Sequence, residues 1–216
     1  MNFLSFLFPQ VIEDINSPIN GEIKVIQQYG SIHISVSGLS QSGGLVKNLW
    51  ESGIKKIHNS KFIIHNSLVL GVGGGTVIKL LNKYYPAAKI VGIEIDPLMI
   101  ELGKKYFQHN ELKNVDIIIS DAINWVNKKY HESNHSTFDL ILVDLYIGKQ
   151  MPQGLSDKKF LEKLKALLNA NGAIIFNRLR NRENKQEIEE FINRLINIFP
   201  SVTIEKPLVN YLIFCH

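Results

Sequence analysis

The chain has 216 residues, with 24 Lys+Arg against 20 Asp+Glu and a formal net charge of +4. Hydrophobic residues make up 45% and charged residues 20%, close to the globular average, which excludes disorder, collagen and coiled coil as whole-chain descriptions. The length fits one domain of ordinary size, and the mild positive charge falls short of the basic stripe of a nucleic-acid binder, so nucleic acid is not expected as a partner.

In chain order, residues 3–8 are apolar but few, follow no Lys or Arg and stop at Pro9, which predicts a packing segment and not a signal peptide. No apolar run reaches the ~18 residues of a membrane span, so no membrane partner is expected. Residues 22–29 and 31–36 carry strand-forming residues around Tyr29-Gly30, a hairpin signal. Residues 45–57 read as a helix with Leu45, Leu49 and Trp50 on one face. These elements form a β-rich lead-in over residues 1–60, set apart from a second domain over residues 61–216.

From Leu68 the pattern alternates. A short buried strand, 68–70, runs into Gly71-Val-Gly-Gly-Gly-Thr76 and a helix over 77–85 closed by Pro86. A strand over 89–95 is followed by Asp96-Pro97, an N-cap with proline at the first helical position, and a helix over 98–108. Strands are predicted at 115–119, 138–143 and 173–177, with a helix from a Ser156 cap through Leu168, ended by Gly172, and another over 187–199. Two strands then follow without a helix between them, 202–205 and 209–214. Alternating strands and helices force parallel pairing with right-handed crossovers, whereas the final short connection permits only an antiparallel pair. The prediction is a doubly wound, mostly parallel seven-stranded α/β sheet. Cys215, the one cysteine, forbids an internal disulfide or a cysteine zinc cage, reads as a small hydrophobe in the last strand, and fits a reduced, cytoplasmic compartment.

Several strand ends carry polar chemistry. Gly71, Gly73, Gly74 and Gly75 lie between a strand and a helix, where backbone can approach a ligand and the helix N-terminus favours anionic or polar groups. The third glycine of a dinucleotide fingerprint would fall at Thr76, which disfavours an NAD-binding oxidoreductase. Glu94, at the end of the next strand and about twenty residues on, can accept both hydroxyls of a ribose. Asp121, in Ser120-Asp-Ala122, can accept from an adenine amino group, cap the following helix, or do both. Asp144 ends the strand that neighbours the glycine-loop strand, where a carboxylate can hold an amine or take its proton. Asp139, at the far end of that strand, is read as structural. Tyr146 is a possible donor to an acceptor, and residues 148–156 read as a loop gating the site.

At these residues the chain resembles the spermidine-synthase-like family, the polyamine aminopropyltransferases, within the class I S-adenosylmethionine-dependent enzymes. Val91-Gly-Ile-Glu-Ile-Asp-Pro97 and Lys104-Lys-Tyr-Phe107 are similar to that family's second strand and following helix, and Gly38-Leu-Ser-Gln41 is similar to its G-x-x-Q. The resemblance implies that Gln41, Glu94, Ile95, Asp121 and Ala122, with the glycine loop, hold the nucleoside, that Asp144 is the catalytic carboxylate, and that the chain is a homodimer. Two positions depart: the family's glycine-loop Asp falls on Gly74, and the second Asp of its D-S-S/T-D-P segment falls on Ile147. Losing two carboxylates removes much of what would offset the desolvation of a dicationic diamine.

The expected function is transfer of an alkyl group, methyl ahead of aminopropyl, from S-adenosylmethionine or its decarboxylated form to a small-molecule acceptor such as an amine. Spermidine synthesis and a non-catalytic nucleoside-binding protein are the alternatives. No metal is expected, because the H-E-x-x-H match at His131–His135 sits in a polar run without helical spacing. The basic cluster from Asn177 to Arg182 reads as a solvated loop.

Overall fold

The computed structural model describes residues 8–60, 62–132, 137–148, 150–180, 184–207 and 209–216. Four strands open the chain, β1 (Gln10–Ser17), β2 (Gly21–Gln28), β3 (Ser31–Val36) and β4 (Leu39–Gly43), joined in that order as an antiparallel sheet. The predicted hairpin is its centre. β2 and β3 pair around Tyr29-Gly30, whose φ values of 50 and 71 are the left-handed pair that a tight two-residue turn needs. The flanking strands were not predicted. β1 alternates around Glu13 and Asp14 with much of its length exposed, and β4 is five mostly polar residues.

The remaining elements are α1 (Gly44–Asn59), β5 (Asn66–Leu70), α2 (Thr76–Tyr84), β6 (Lys89–Glu94), α3 (Pro97–Phe107), β7 (Val115–Ile119), α4 (Ala122–Tyr130), β8 (Phe138–Val143), α5 (Lys158–Ala166), β9 (Leu168–Leu179), α6 (Lys185–Ile198), β10 (Val202–Glu205) and β11 (Asn210–Cys215). Their strands form a seven-stranded sheet in the order β10-β11-β9-β8-β5-β6-β7. β5 pairs in parallel with both β6 and β8, while β11 runs antiparallel to β9 and β10. This is the predicted doubly wound α/β sheet with its reversed hairpin at one edge. Leu68, Val69, Leu70 and residues 140–143 are buried on both sheet faces, as parallel strands between helical layers must be.

Three apolar clusters hold the layers together. On one face, Leu49, Trp50, Ile54 and Ile57 of α1 pack with α2 against Val69, Ile175, Leu212 and Phe214. On the other, α4, α5 and α6 cover Leu68, Leu70, Ile141, Phe176 and Ile213. The inner face of the small sheet, Ile23, Val25, Ile34 and Val36, closes on Met99 and Leu102 of α3. Asp96 secures that junction. It caps α3 by accepting from the Leu98 N–H at 3.0 Å, and its other oxygen accepts from Ser17 Oγ at 2.5 Å and Asn20 Nδ2 at 2.7 Å.

Most element ends fall within two residues of the sequence reading, and the correction lies around α5 and β9. Asp157, not Ser156, stands at the N-cap of α5, and Gly172 lies inside β9, which begins at Leu168. A register shift between Phe138 and Leu140 lets β9 start beside β8 earlier than its apolar run indicates. Of residues 3–8, only Phe8 is among the described residues, and it is exposed. Among the described residues no helix is long and apolar enough to cross a membrane.

Candidate active site

The strand order reverses between β5 and β8, so the connections from these neighbours leave in opposite directions and open a crevice above their carboxyl ends. Gly71 makes the closure possible. At φ 87 it adopts a conformation few other residues tolerate, and a Cβ there would stand 2.1 Å from the Asp144 carbonyl oxygen. The Asp144 N–H donates to the Leu70 carbonyl at 2.8 Å, which fixes the head of the glycine loop beside the end of β8.

The crevice wall brings together Gln41, Gly71, Gly73, Glu94, Ile95, Asp121, Ala122, Asp144 and Tyr146, nine residues singled out from the sequence. Gly74 and Gly75 are not in it. The Gly74 N–H donates to Ser42 Oγ at 2.7 Å, and a Cβ at Gly74 would meet Ile34 Cδ1 at 2.7 Å. Gly75 packs on the His109 ring. Gly74 is thus given to the small sheet, and Thr76 has the same task, its Oγ1 accepting from the Gly43 N–H at 2.8 Å.

Glu94 is buried, and its carboxylate collects three backbone donors: Gly73 N–H at 2.7 Å, Ile95 N–H at 2.8 Å and Asp96 N–H at 3.0 Å. Burial pushes its pKa up, the three amides work against that, and the nearby Asp96 charge adds to the rise. Asp121 caps α4 through the Asn124 N–H at 2.7 Å while lining the crevice, so both roles weighed from the sequence are geometrically compatible.

Asp144, at the end of β8, is half-buried and has both carboxylate oxygens engaged. Its Oδ1 accepts from Asn177 Nδ2 at 2.8 Å and its Oδ2 from Trp50 Nε1 at 2.7 Å. Asn177 is in turn oriented by Asn210 Nδ2, which donates to Asn177 Oδ1 at 2.8 Å. Burial raises the Asp144 pKa, and the two donors hold that rise in check. Tyr146 Oη accepts from the Leu179 N–H at 2.6 Å, leaving the phenolic hydrogen for another partner, and burial pushes its pKa up to about 12.

A second cavity, of about 160 Å³, opens on the other side of Asp144, and Gln41, Asp144 and Tyr146 stand in the walls of both. The crevice itself encloses about 50 Å³, room for a few waters. The loop after β8 narrows it. Gln41 Nε2 donates to the Gly148 carbonyl at 3.2 Å, and the Gly148 N–H donates to Asn20 Oδ1 at 3.4 Å.

Trp50, Asn177, Asn210 and Asn20 were not singled out for the site. The sequence places Trp50 on an apolar helix face, where its indole N–H is the signal of a polar partner. The first part of the basic cluster is buried strand and not the solvated loop expected from the sequence. Asn177 to Leu179 belong to β9, and Arg178 is 2% exposed, paired with Glu187 at 2.9 Å and lying over the Phe191 ring at 4.4 Å. Its long stem and flat guanidinium allow burial that a point charge would not. Arg182 and His135 lie outside the described residues, within which no cluster of three or more His, Cys, Asp or Glu is placed to hold a metal. Asp139 accepts from the N–H groups of His65 and Asn66 at 2.7 and 2.9 Å, tying β8 to β5 as a structural acid.

The family profile described as the spermine/spermidine synthase domain matches residues 57–210. The chain belongs to the spermine/spermidine synthase family. Within and around that family it is 29% identical over 164 residues to a Drosophila melanogaster protein named eEF1A lysine and N-terminal methyltransferase homolog, covering 73% of this chain and 24% of that protein. It is 30% identical over 145 residues to the polyamine aminopropyltransferase of Chromobacterium violaceum, covering 67% of this chain and 52% of that one. The aligned part thus spans about a quarter of the first relative and half of the second. Spermidine synthase from Thermotoga maritima superposes over 95% of this chain and 72% of its own, with TM-score 0.75 at 16% identity. Human methyltransferase-like protein 13 in complex with SAH superposes over 79% of each chain, with TM-score 0.64 at 22% identity. Both structural likenesses concern the fold.

Proposed function

We propose that this chain is a transferase that binds S-adenosylmethionine, or its decarboxylated form, in the crevice and moves an alkyl group from sulfonium sulfur to an acceptor beside Asp144. The observation that carries the reading is the convergence of Gly71, Gly73, Glu94, Asp121 and Asp144 on one crevice at the strand switch point. Glu94 and Asp121 are assigned the ribose and the adenine, and Gln41 a further polar contact to the nucleoside. The bound sulfonium supplies an activated carbon. Asp144 holds the acceptor in line with it and takes its proton, Tyr146 offers its phenolic hydrogen to the acceptor, and the loop after β8 excludes water once Gln41 and Gly148 have parted to admit the ligand.

Methyl transfer is favoured over aminopropyl transfer. Gly74 has neither a carboxylate nor space for one, and α2 carries no acid in its first turn, an environment that suits the carboxylate of an intact methionine tail. Relatives carrying both kinds of name support the donor class. A homodimer and a cytoplasmic location complete the proposal. Val11 and Ile12, 54% and 42% exposed on the edge strand β1, offer an apolar surface for pairing.

Calorimetry with S-adenosylmethionine, decarboxylated S-adenosylmethionine, methylthioadenosine and NAD tests the donor class, and binding of no sulfur nucleoside overturns the reading. Asp144→Asn is expected to lower turnover by about 100-fold or more while donor affinity stays within about threefold. Equal loss of both removes Asp144 from the catalytic role.

A further inference from the structure

The cavity on the far side of Asp144 has a lopsided composition. Its wall is built from Leu39, Leu45, Val46, Leu49, Leu179 and Val209, with neutral polar groups between them. Among the described residues of that wall, Asp144 alone carries a formal charge. The polar groups near it are already committed: Asn177 to Asp144, Asn210 to Asn177, and Gln41 to the Gly148 carbonyl. Ser40 Oγ, a buried hydroxyl with no partner, and the Tyr146 phenol are the exceptions, and a hydroxyl can satisfy one hydrogen bond but cannot neutralise a cation. At the mouth, Leu45 and Val209 are 63% and 58% exposed, so the entrance is apolar as well.

We infer that this cavity takes an acceptor with a single amino group on an aliphatic stem, and that monoamines of this kind, not diamines, are alkylated at Asp144. The inference rests on the transferase reading above and names its acceptor class. One ammonium group loses its water beside Asp144 and gains a carboxylate in exchange. A second ammonium group, further along the stem, would lose its water among leucines and valines and gain no countercharge, and an uncompensated buried charge is among the costliest groups a site can hold. The stem itself is welcome on those walls. In the transfer step, the ammonium gives a proton to Asp144. The freed nitrogen lone pair then forms a bond to the methyl carbon as the carbon–sulfur bond breaks, its electron pair remaining on sulfur as a neutral thioether. Asp144 passes the proton on to solvent.

The test compares n-hexylamine with 1,6-diaminohexane as acceptors for the full chain with S-adenosylmethionine, following methylated product by mass spectrometry. The monoamine is expected to exceed the diamine at least tenfold in kcat/KM. Val46→Asp, in the first turn of α1 where an acid suits the helix, should raise diamine use at least tenfold and so reverse or erase the preference. Val209→Asp, at the exposed mouth, is a second variant with the same expected direction. Equal or better use of the diamine by the unaltered chain overturns the inference. So does failure to alkylate either amine while calorimetry shows the donor bound, and that result leaves the transferase reading intact. Absence of donor binding instead removes the transferase reading, and this inference with it.

Discussion

Asp144 sits where ionisation is costly, and two neighbours make it tolerable: the Trp50 indole and the Asn177 amide each donate to the charged form. Burial still raises its folded pKa above the ordinary 3.8. For an acid so shifted, protonation is favoured by folding, and the charged form needed to receive a proton is lost as pH falls through the raised value. The acid limb of the kcat/KM profile should therefore lie above pH 3.8. Trp50→Phe removes a donor to the charged form and should move that limb to higher pH, with donor affinity nearly unchanged; a profile that stays in place means the indole does not tune the acid. Gly74 gives the opposite lesson, because its importance is steric. Restoring the family's acid with Gly74→Asp should destabilise the fold by about 1–3 kcal/mol in denaturant titration, since the new Cβ meets Ile34 and Ser42. Asp144, Glu94 and Asp121 were legible in the sequence because each follows a run that could only be a buried parallel strand. Trp50 and Asn177 were not, because what a side chain far along the chain meets is decided by packing.

Among the elements, the junction between the small sheet and α3 depends on Asp96, one carboxylate serving a helix cap, Ser17 and Asn20. Asp96→Ala removes the cap and leaves the Ser17 hydroxyl hydrogen and the Asn20 amide without their acceptor, and the expected cost is about 3 kcal/mol by chemical denaturation. A change below about 0.5 kcal/mol would show that the apolar contact of the small sheet with Met99 and Leu102 holds the junction unaided. The seven strands of the large sheet were readable from apolar runs punctuated by glycine, proline and Asx caps. β1 and β4 escaped because a strand with one solvated face needs only alternate apolar positions, and β4 has too few residues to display them. The start of β9 escaped because only Leu168 pairs with β8 ahead of Ala173, across a register shift that no side-chain pattern announces.

For the molecule as a whole, the last strand is a sensor of integrity. Cys215 is fully buried, and burial pushes its thiol up to about 12. At pH 8 it should resist thiol reagents in the native state and label at the rate of unfolding, and fast labelling without loss of secondary structure would mean that the β10–β11 edge opens separately. Trp50 extends this to the site. The chain has two tryptophans, and the other, Trp125, lies on α4 across the large sheet. With Trp125→Phe, the emission left in the protein comes from an indole whose N–H is held by the acid between the two cavities. Filling either side, or changing the charge between them, alters the field on that ring, so the wavelength and yield of one fluorophore can follow donor and acceptor arriving in real time, with no added dye.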